Sequence, residues 1–191
     1  MTFPSTSKLV ATFAIQLICS VLLAGQARVN PQADALARFS ERVAAYLVLQ
    51  KKVEGKLTSQ KETNDPARIN VHVANLANGI RAARGDAKPG DIFNGAAEHF
   101  RRSIREDAKS RSVRDAFAAM QEVPKRTPAR VNADYPETAP LATVPPLILN
   151  RLPRLPDGLE YRFMGRDLIL RDTKANLIVD VLKEAVPTVG R

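Results

Sequence analysis

Leu159-Glu160-Tyr161-Arg162-Phe163-Met164-Gly165-Arg166-Asp167-Leu168-Ile169-Leu170-Arg171-Asp172-Thr173-Lys174-Ala175-Asn176-Leu177-Ile178-Val179-Asp180-Val181 decides the fold. Residues 159–163 alternate apolar and charged side chains, as a half-buried strand does. Gly165-Arg166 suits a tight reversal, 168–171 reads as a second strand, Asp172-Thr173-Lys174 as a second turn and 177–181 as a third strand. Pro156-Asp157-Gly158 supplies the turn that leads in. The spacing predicts a three-stranded antiparallel β-meander. Three strands this short need a cover over their apolar face. Lys183-Glu184-Ala185-Val186 is expected to add a helical turn before Pro187.

Upstream, Pro124, Pro128, Pro136, Pro140, Pro145, Pro146, Pro153 and Pro156 crowd one segment. That density excludes a long helix or a central strand and favours extended chain. Within it, Thr143 to Leu152 can hold one short helix, because paired prolines fit a first turn. Val131, Tyr135, Leu141, Leu147, Ile148 and Leu149 are reasons to read a strap packed on the bundle rather than a free linker.

The part before the prolines is helical in period. Leu36, Phe39, Val43, Leu47, Gln50, Val53 and Leu57 recur at three- and four-residue steps over 31–59, Pro31 suits the first turn, and Gly55 weakens the last. Asp65-Pro66 is a cap followed by a first-turn proline, with Ile69, Val73, Leu76, Ile80 and Ala83 as the inward stripe and Gly85 as the stop. A third helix is expected from Pro89-Gly90-Asp91, capped by Asp91, with Ile92, Phe93, Ala96, Phe100 and Ile104 inward and Glu98–Arg102 and Arg102–Glu106 as helical pairs. A fourth, from Ser112 to Glu122, turns Val113, Phe117 and Met120 inward. Short links between such helices favour a small bundle. The chain thus reads as α+β: a helical domain of three to four helices over 28–123, a proline-rich strap over 124–157, and the meander over 158–191 packed on the helices.

Residues 1–27 read differently. Lys8 is the only charge before Arg28, and Leu9 to Leu23 is an apolar run leading to Ala24-Gly25-Gln26-Ala27. A positive start, an apolar middle and small residues at the end describe a cleaved export signal. A membrane-spanning helix wants roughly 20 apolar residues, and this run is shorter and holds Gln16. Cys19 follows Ile18, where a lipidation motif needs a small residue. Cleavage between Ala27 and Arg28 leaves 164 of the 191 residues, no cysteine, and 28 basic against 20 acidic side chains, or +8. Such a chain works in the periplasm or outside the cell, with no stable membrane span, disulfide or thiol chemistry. Its charge suits an anionic envelope polymer, while export argues against nucleic acid as a partner.

Motifs for chemistry are sparse. His72 and His99 are the only histidines, and they lie on different helices, without the spacing of a zinc site. His72 reads as a partly buried helix residue and His99 as an exposed neighbour of Glu98. Ser103, four residues after His99, lacks an orienting acid and an oxyanion hole in the pattern. No nucleotide loop or nucleophile elbow occurs, so no catalytic residue and no cofactor are expected. Glu106 with Asp107, Asp134 with Glu137, and Glu160 with Asp167 are the acid pairs that a carboxylate hydrolase could use. The stronger feature is basic. Arg101, Arg105 and Lys109 stand at four-residue steps, forming a ridge whose like charges cost a few tenths of a kcal/mol per pair unless relieved. A ridge of this kind can contact an anionic polymer through a salt-sensitive field. Glu98, Glu106, Asp107 and Asp115 are available to relieve it.

Gly90-Asp91-Ile92-Phe93 with Phe100-Arg101-Arg102, and the tail from Leu152-Pro153-Arg154-Leu155-Pro156 through Asp172 with Ala175-Asn176-Leu177-Ile178-Val179-Asp180, together resemble a group of exported bacterial proteins of unknown function. The resemblance covers most of the mature chain and implies no activity. In outline the meander is also similar to the C-terminal hairpin of small periplasmic nickel/cobalt-homeostasis proteins, through a Tyr-x-x-x-Gly-x-Asp-Leu-x-Leu pattern.

The expectation is a non-catalytic binding or accessory protein of the cell envelope, with a protein or an anionic polymer as partner. The alternatives are an envelope hydrolase using paired carboxylates and an accessory protein of metal homeostasis. N-terminal sequencing of the exported form is expected to start at Arg28; a start before Gly25 overturns the cleavage reading.

Overall fold

In the computed structural model, the residues described are 30–57, 64–110, 112–115, 117, 128–136 and 142–188. Helix α1 spans Pro31–Glu54, α2 Pro66–Ala83 and α3 Ala97–Asp107; residues 112–115 and 117 are also helical. Strand β1 (Ala142–Thr143) and the short helix α4 (Pro146–Leu149) follow, then β2 (Leu159–Met164), β3 (Asp167–Asp172) and β4 (Leu177–Leu182). The fold is α+β, with helices first and an antiparallel sheet last.

The meander forms as its pattern predicts, with Leu159 opposite Asp172 and Leu168 opposite Leu182. Gly165 takes φ +60°, which a two-residue hairpin asks of glycine at its first position. One strand is added: β1 pairs antiparallel with β2, so the order is β1-β2-β3-β4. The last predicted element does not form. Residues 183–186 make a turn with Glu184 at φ +52°, because Val186 N–H donates to Arg166 O at 3.0 Å and folds the chain back on the hairpin.

Both faces of the sheet are covered. On the first, Leu159, Tyr161, Phe163, Leu168, Leu170, Leu177, Val179 and Leu182 join one core with Phe39, Leu76, Ile80, Phe93, Phe100 and Phe117 from the helical part. Phe39, Phe93 and Phe100 meet with ring centroids 5.0–5.7 Å apart, and Phe100 meets Tyr161 at 5.9 Å. On the second, Ile169, Ile178 and Val181 are covered by Ala129 and Tyr135 of the proline-rich segment. The described part of that segment is a strap, as expected: residues 129–135 cover the sheet and are also tied to the bundle, where Arg81 Nε donates to Asn132 O and Asn132 Nδ2–H donates to Arg84 O, both at 2.8 Å. Tyr135 N–H donates to Asn176 O at 2.8 Å and Ile178 N–H to Ala133 O at 2.9 Å, so the strap also pairs along β4. Further on, the strap does enter the main core, through Val144, Ile148 and Leu152. Leu147 and Leu149 are exposed instead, since the single turn of α4 can direct only Ile148 inward.

Burial corrects the helix stripes in places. α1 buries Phe39, Val43, Tyr46, Gln50 and Val53. Gln50 earns its place by donating Nε2–H to Asp172 Oδ2 at 2.5 Å, beside Tyr46 O–H at 2.6 Å. In α2, Asp65 accepts from Ala67 N–H as a cap, and Leu76, Ala77 and Ile80 are buried. Ile69 is exposed, because the first turns of α2 overhang the core.

The third helix starts at Ala97, not near Pro89. Residues 89–96 are turns, although Ile92, Phe93 and Ala96 are buried as expected. Asp91 caps no helix; its carboxylate accepts from Lys88 N–H at 2.7 Å. The physical reason lies in β4. The N–H groups of Gly90, Ile92 and Phe93 are all donated to the carboxyl of Asp180, at 2.7, 2.7 and 2.9 Å. Gly90 holds φ +91° there, a conformation glycine accepts freely. A register shift at Leu170/Arg171 is a β-bulge. Through it Val179 and the following Asp180 both point to the helical side, which re-aims the carboxyl at residues 90–93.

Asp180→Ala leaves those N–H groups buried and unpaired, at about 1–3 kcal/mol each. Urea unfolding is expected to show a loss of about 3 kcal/mol or more. A loss under about 1 kcal/mol contradicts the role given to this carboxyl.

Candidate functional site

The basic ridge is the predicted feature around which a site is found. Arg101 and Arg105 of α3 form one wall of an open cleft of about 420 Å³, completed by Arg166, Lys183, Glu184, Ala185 and Pro187. Lys109 is exposed and does not line it. Four cations therefore converge from three places: a helix, the β2–β3 hairpin and the turn after β4. Meander topology brings the last two together, because the hairpin at 165–166 and the end of β4 lie at one end of the sheet.

Each cation is held differently. Arg101 Nη2 donates to Lys183 O at 3.0 Å and makes no ion pair among the described residues. Arg105 pairs with Glu98, and this hydrogen bond holds the Glu98 carboxyl below its usual range. Arg166 Nε donates to Val186 O at 3.0 Å, while its Nη1 lies 3.7 Å from the largely exposed carboxylate of Glu184. Lys183 Nζ donates to Asp167 Oδ2 at 2.9 Å and to Ala129 O at 3.0 Å. Counting Arg101, Arg105, Arg166 and Lys183 against Glu98, Asp167 and Glu184 leaves +1. Arg166, Lys183 and Glu184 went unnoticed in the sequence because no short-range spacing links them to α3. The signal available was topological: charged residues flanking the ends of adjacent strands.

The other sequence candidates do not gather here. Among the described residues, each predicted carboxylate partners a cation instead of a second carboxylate. Glu106 and Asp107 both meet Arg151, at 3.5 and 3.0 Å. Asp134 pairs with Arg81, and Glu160 bridges Arg162 and Arg171 at 2.8 and 2.9 Å. Glu98 pairs one turn further along the helix than expected, with Arg105 rather than Arg102. His99 is half-buried rather than exposed, edge-on to Phe100, and burial, reinforced by Arg102, pushes its pKa down. No three of His, Cys, Asp and Glu gather into a metal-holding group among the described residues. No helix among them is long and apolar enough to cross a membrane. Ala27 and Arg28 at the expected cleavage site lie outside the described residues, as do Met120, Glu137 and Leu141.

Comparison with protein-family models, with curated proteins and with solved structures finds no match. The geometry of the cleft is therefore the basis for a functional reading.

Glu160 carries a pH signature. Burial alone raises its carboxyl, but hydrogen bonds from Arg162 and Arg171 outweigh burial and hold it below the usual glutamate range. A depressed folded-state pKa stabilises the fold above the unfolded value of about 4.3, and that stabilisation fades as pH falls through the folded value. The melting-temperature gap between the unsubstituted protein and Glu160→Gln is expected to be widest above about pH 5 and to shrink on acidification. A gap that grows toward low pH contradicts the pairing.

Proposed function

We propose that the protein is a binding protein of the bacterial cell envelope that engages an anionic envelope polymer or lipid surface, delivered there by its cleaved leader. The observation that carries this reading is the cleft, where Arg101 and Arg105 are joined by Arg166 and Lys183. A concave set of cations focuses potential more effectively than a helix ridge alone. It also accounts for Arg101 and Arg105 being the useful members of the ridge and Lys109 a bystander. The formal net charge of +8 left after cleavage draws the protein toward anionic surfaces at long range, and the cleft supplies a defined point of contact.

Each basic side chain at an anionic membrane surface contributes about 1 kcal/mol. Co-sedimentation with vesicles rich in phosphatidylglycerol, or with lipopolysaccharide, is expected to weaken about thirtyfold when Arg101 and Arg105 both become Ser. Raising the salt well above physiological strength is expected to release the unsubstituted protein. Retention unchanged by both treatments contradicts the reading.

A further inference from the structure

Two guanidiniums in the cleft are held in place by the backbone of one turn. Arg101 donates to the carbonyl of Lys183 and Arg166 to that of Val186, both at 3.0 Å. Between these carbonyls lies Glu184, whose backbone is in the left-handed region at φ +52°. Its N–H donates to Asp167 Oδ1 at 3.0 Å, so the turn is pinned to β3. Its side chain is 76 % exposed and reaches Arg166 only at 3.7 Å. Arg105 and Lys183 are already matched, by Glu98 and Asp167. The charge open to a ligand therefore resides on Arg101 and Arg166, and among the described residues Glu184 is the lining carboxylate that competes for it.

A guanidinium presents five N–H donors in a planar fork. With one donor fixed on a carbonyl, the remainder of each fork has a set direction without further ordering. Two such forks suit a group with several equivalent anionic oxygens. A phosphomonoester has three terminal oxygens and a charge of about −1.5 to −2 at neutral pH. A phosphodiester has two free oxygens and a single charge, which one guanidinium satisfies. A carboxylate like that of Glu184 already meets Arg166 loosely and leaves Arg101 without an anion.

We propose that the cleft receives a phosphomonoester group, gripped by Arg101 and Arg166, with Glu184 an internal carboxylate that the ligand displaces. The proposal rests on the anionic-surface reading and sharpens it to one headgroup chemistry. Glu184 raises specificity by this account, because a singly charged group gains too little from Arg166 to push it aside.

The test uses the mature protein and phosphatidylcholine vesicles doped with phosphatidic acid, a monoester, or with phosphatidylglycerol, a diester, at matched surface charge. Phosphatidic acid vesicles are expected to bind about tenfold tighter. Glu184→Gln is expected to tighten phosphatidic acid binding about fivefold and phosphatidylglycerol binding by at least as much, so that the preference narrows. Arg166→Ser and Arg101→Ser are each expected to remove the preference, with circular dichroism confirming the fold, and Arg101→Lys to restore it only in part, as the fork is lost. Lys109→Ser is expected to leave the preference intact. Calorimetry with inorganic phosphate and glycerol 3-phosphate separates the sources. Saturable binding in solution supports the proposal with a free phosphomonoester as ligand, and preference on vesicles alone supports it with a lipid headgroup. Equal binding of the two vesicle types, with Glu184→Gln silent, overturns the phosphomonoester inference and leaves the anionic-surface reading standing. Failure to bind either vesicle overturns both.

Discussion

The carboxyl of Asp180 is the constraint on which the arrangement of helices over sheet depends. It is fully buried, and a buried carboxyl is tolerated only when its oxygens are hydrogen-bonded. Here the donors are backbone N–H groups of Gly90, Ile92 and Phe93, joined by the N–H of Val181. Burial still pushes its pKa above the usual aspartate range, against the pull of those donors. The bond set runs both ways. Asp180 needs the turn at 90–93 to be satisfied, and that turn needs Asp180, because the N–H groups of Gly90, Ile92 and Phe93 lie outside any helix or strand ladder. Since Phe93 is the ring on which Phe39 and Phe100 converge, fixing residues 90–93 also fixes the aromatic centre of the core.

A second buried carboxyl acts nearer the β3–β4 turn. Asp172 Oδ1 accepts from Lys174 and Ala175 N–H, closing the β3–β4 turn, while Oδ2 accepts from Tyr46 and Gln50 of α1. One side chain thus sets a turn and docks a helix. Between these two points, α1 and the segment before α3 are both tied to the strands by polar bonds inside an apolar core. Apolar contact is non-directional. The two carboxyls supply the direction and fix how the helical layer is rotated against the sheet.

Local pattern carried far in this chain. The strand alternation at Leu159–Phe163, the Asp65-Pro66 cap and the paired prolines ahead of Ile148 each act within a few residues, so each was legible in order of appearance. What could not be read depended on partners far along the chain. Pro89-Gly90-Asp91 looks like a helix start, and it fails as one because Asp180, 90 residues away from Gly90, takes the N–H groups. Gln50 sits in an apolar stripe with no local reason, and Asp172 provides the reason 122 residues later. β4 reads as a plain buried strand, but its full burial on both faces requires the strap to cover Ile178 and Val181. The strap's composition announced extended structure. It did not disclose which surface the strap lies on, since Tyr135 could equally have joined a helical core; its ring instead receives the guanidinium of Arg171 at 4.3 Å, a cation–π contact on the sheet's second face.

The same division governs the cleft. Arg101 and Arg105 were visible as a helical ridge because their spacing is local, yet a ridge is ordinarily a solvated face. Their meaning changes once the end of β4 and the β2–β3 hairpin are placed beside them. The turn that replaces the expected helix at 183–186 is what creates the wall. A helix there would point its carbonyls along its own axis, whereas the observed turn offers the Lys183 and Val186 carbonyls sideways to two arginines. Each arginine then spends one donor on the scaffold and keeps the rest directed at the cleft. Preorganised donors lose less entropy on binding than free side chains do. A departure from the local helical preference and the assembly of a cationic concavity are therefore one structural event, and it occurs where Val186 folds back to bond Arg166.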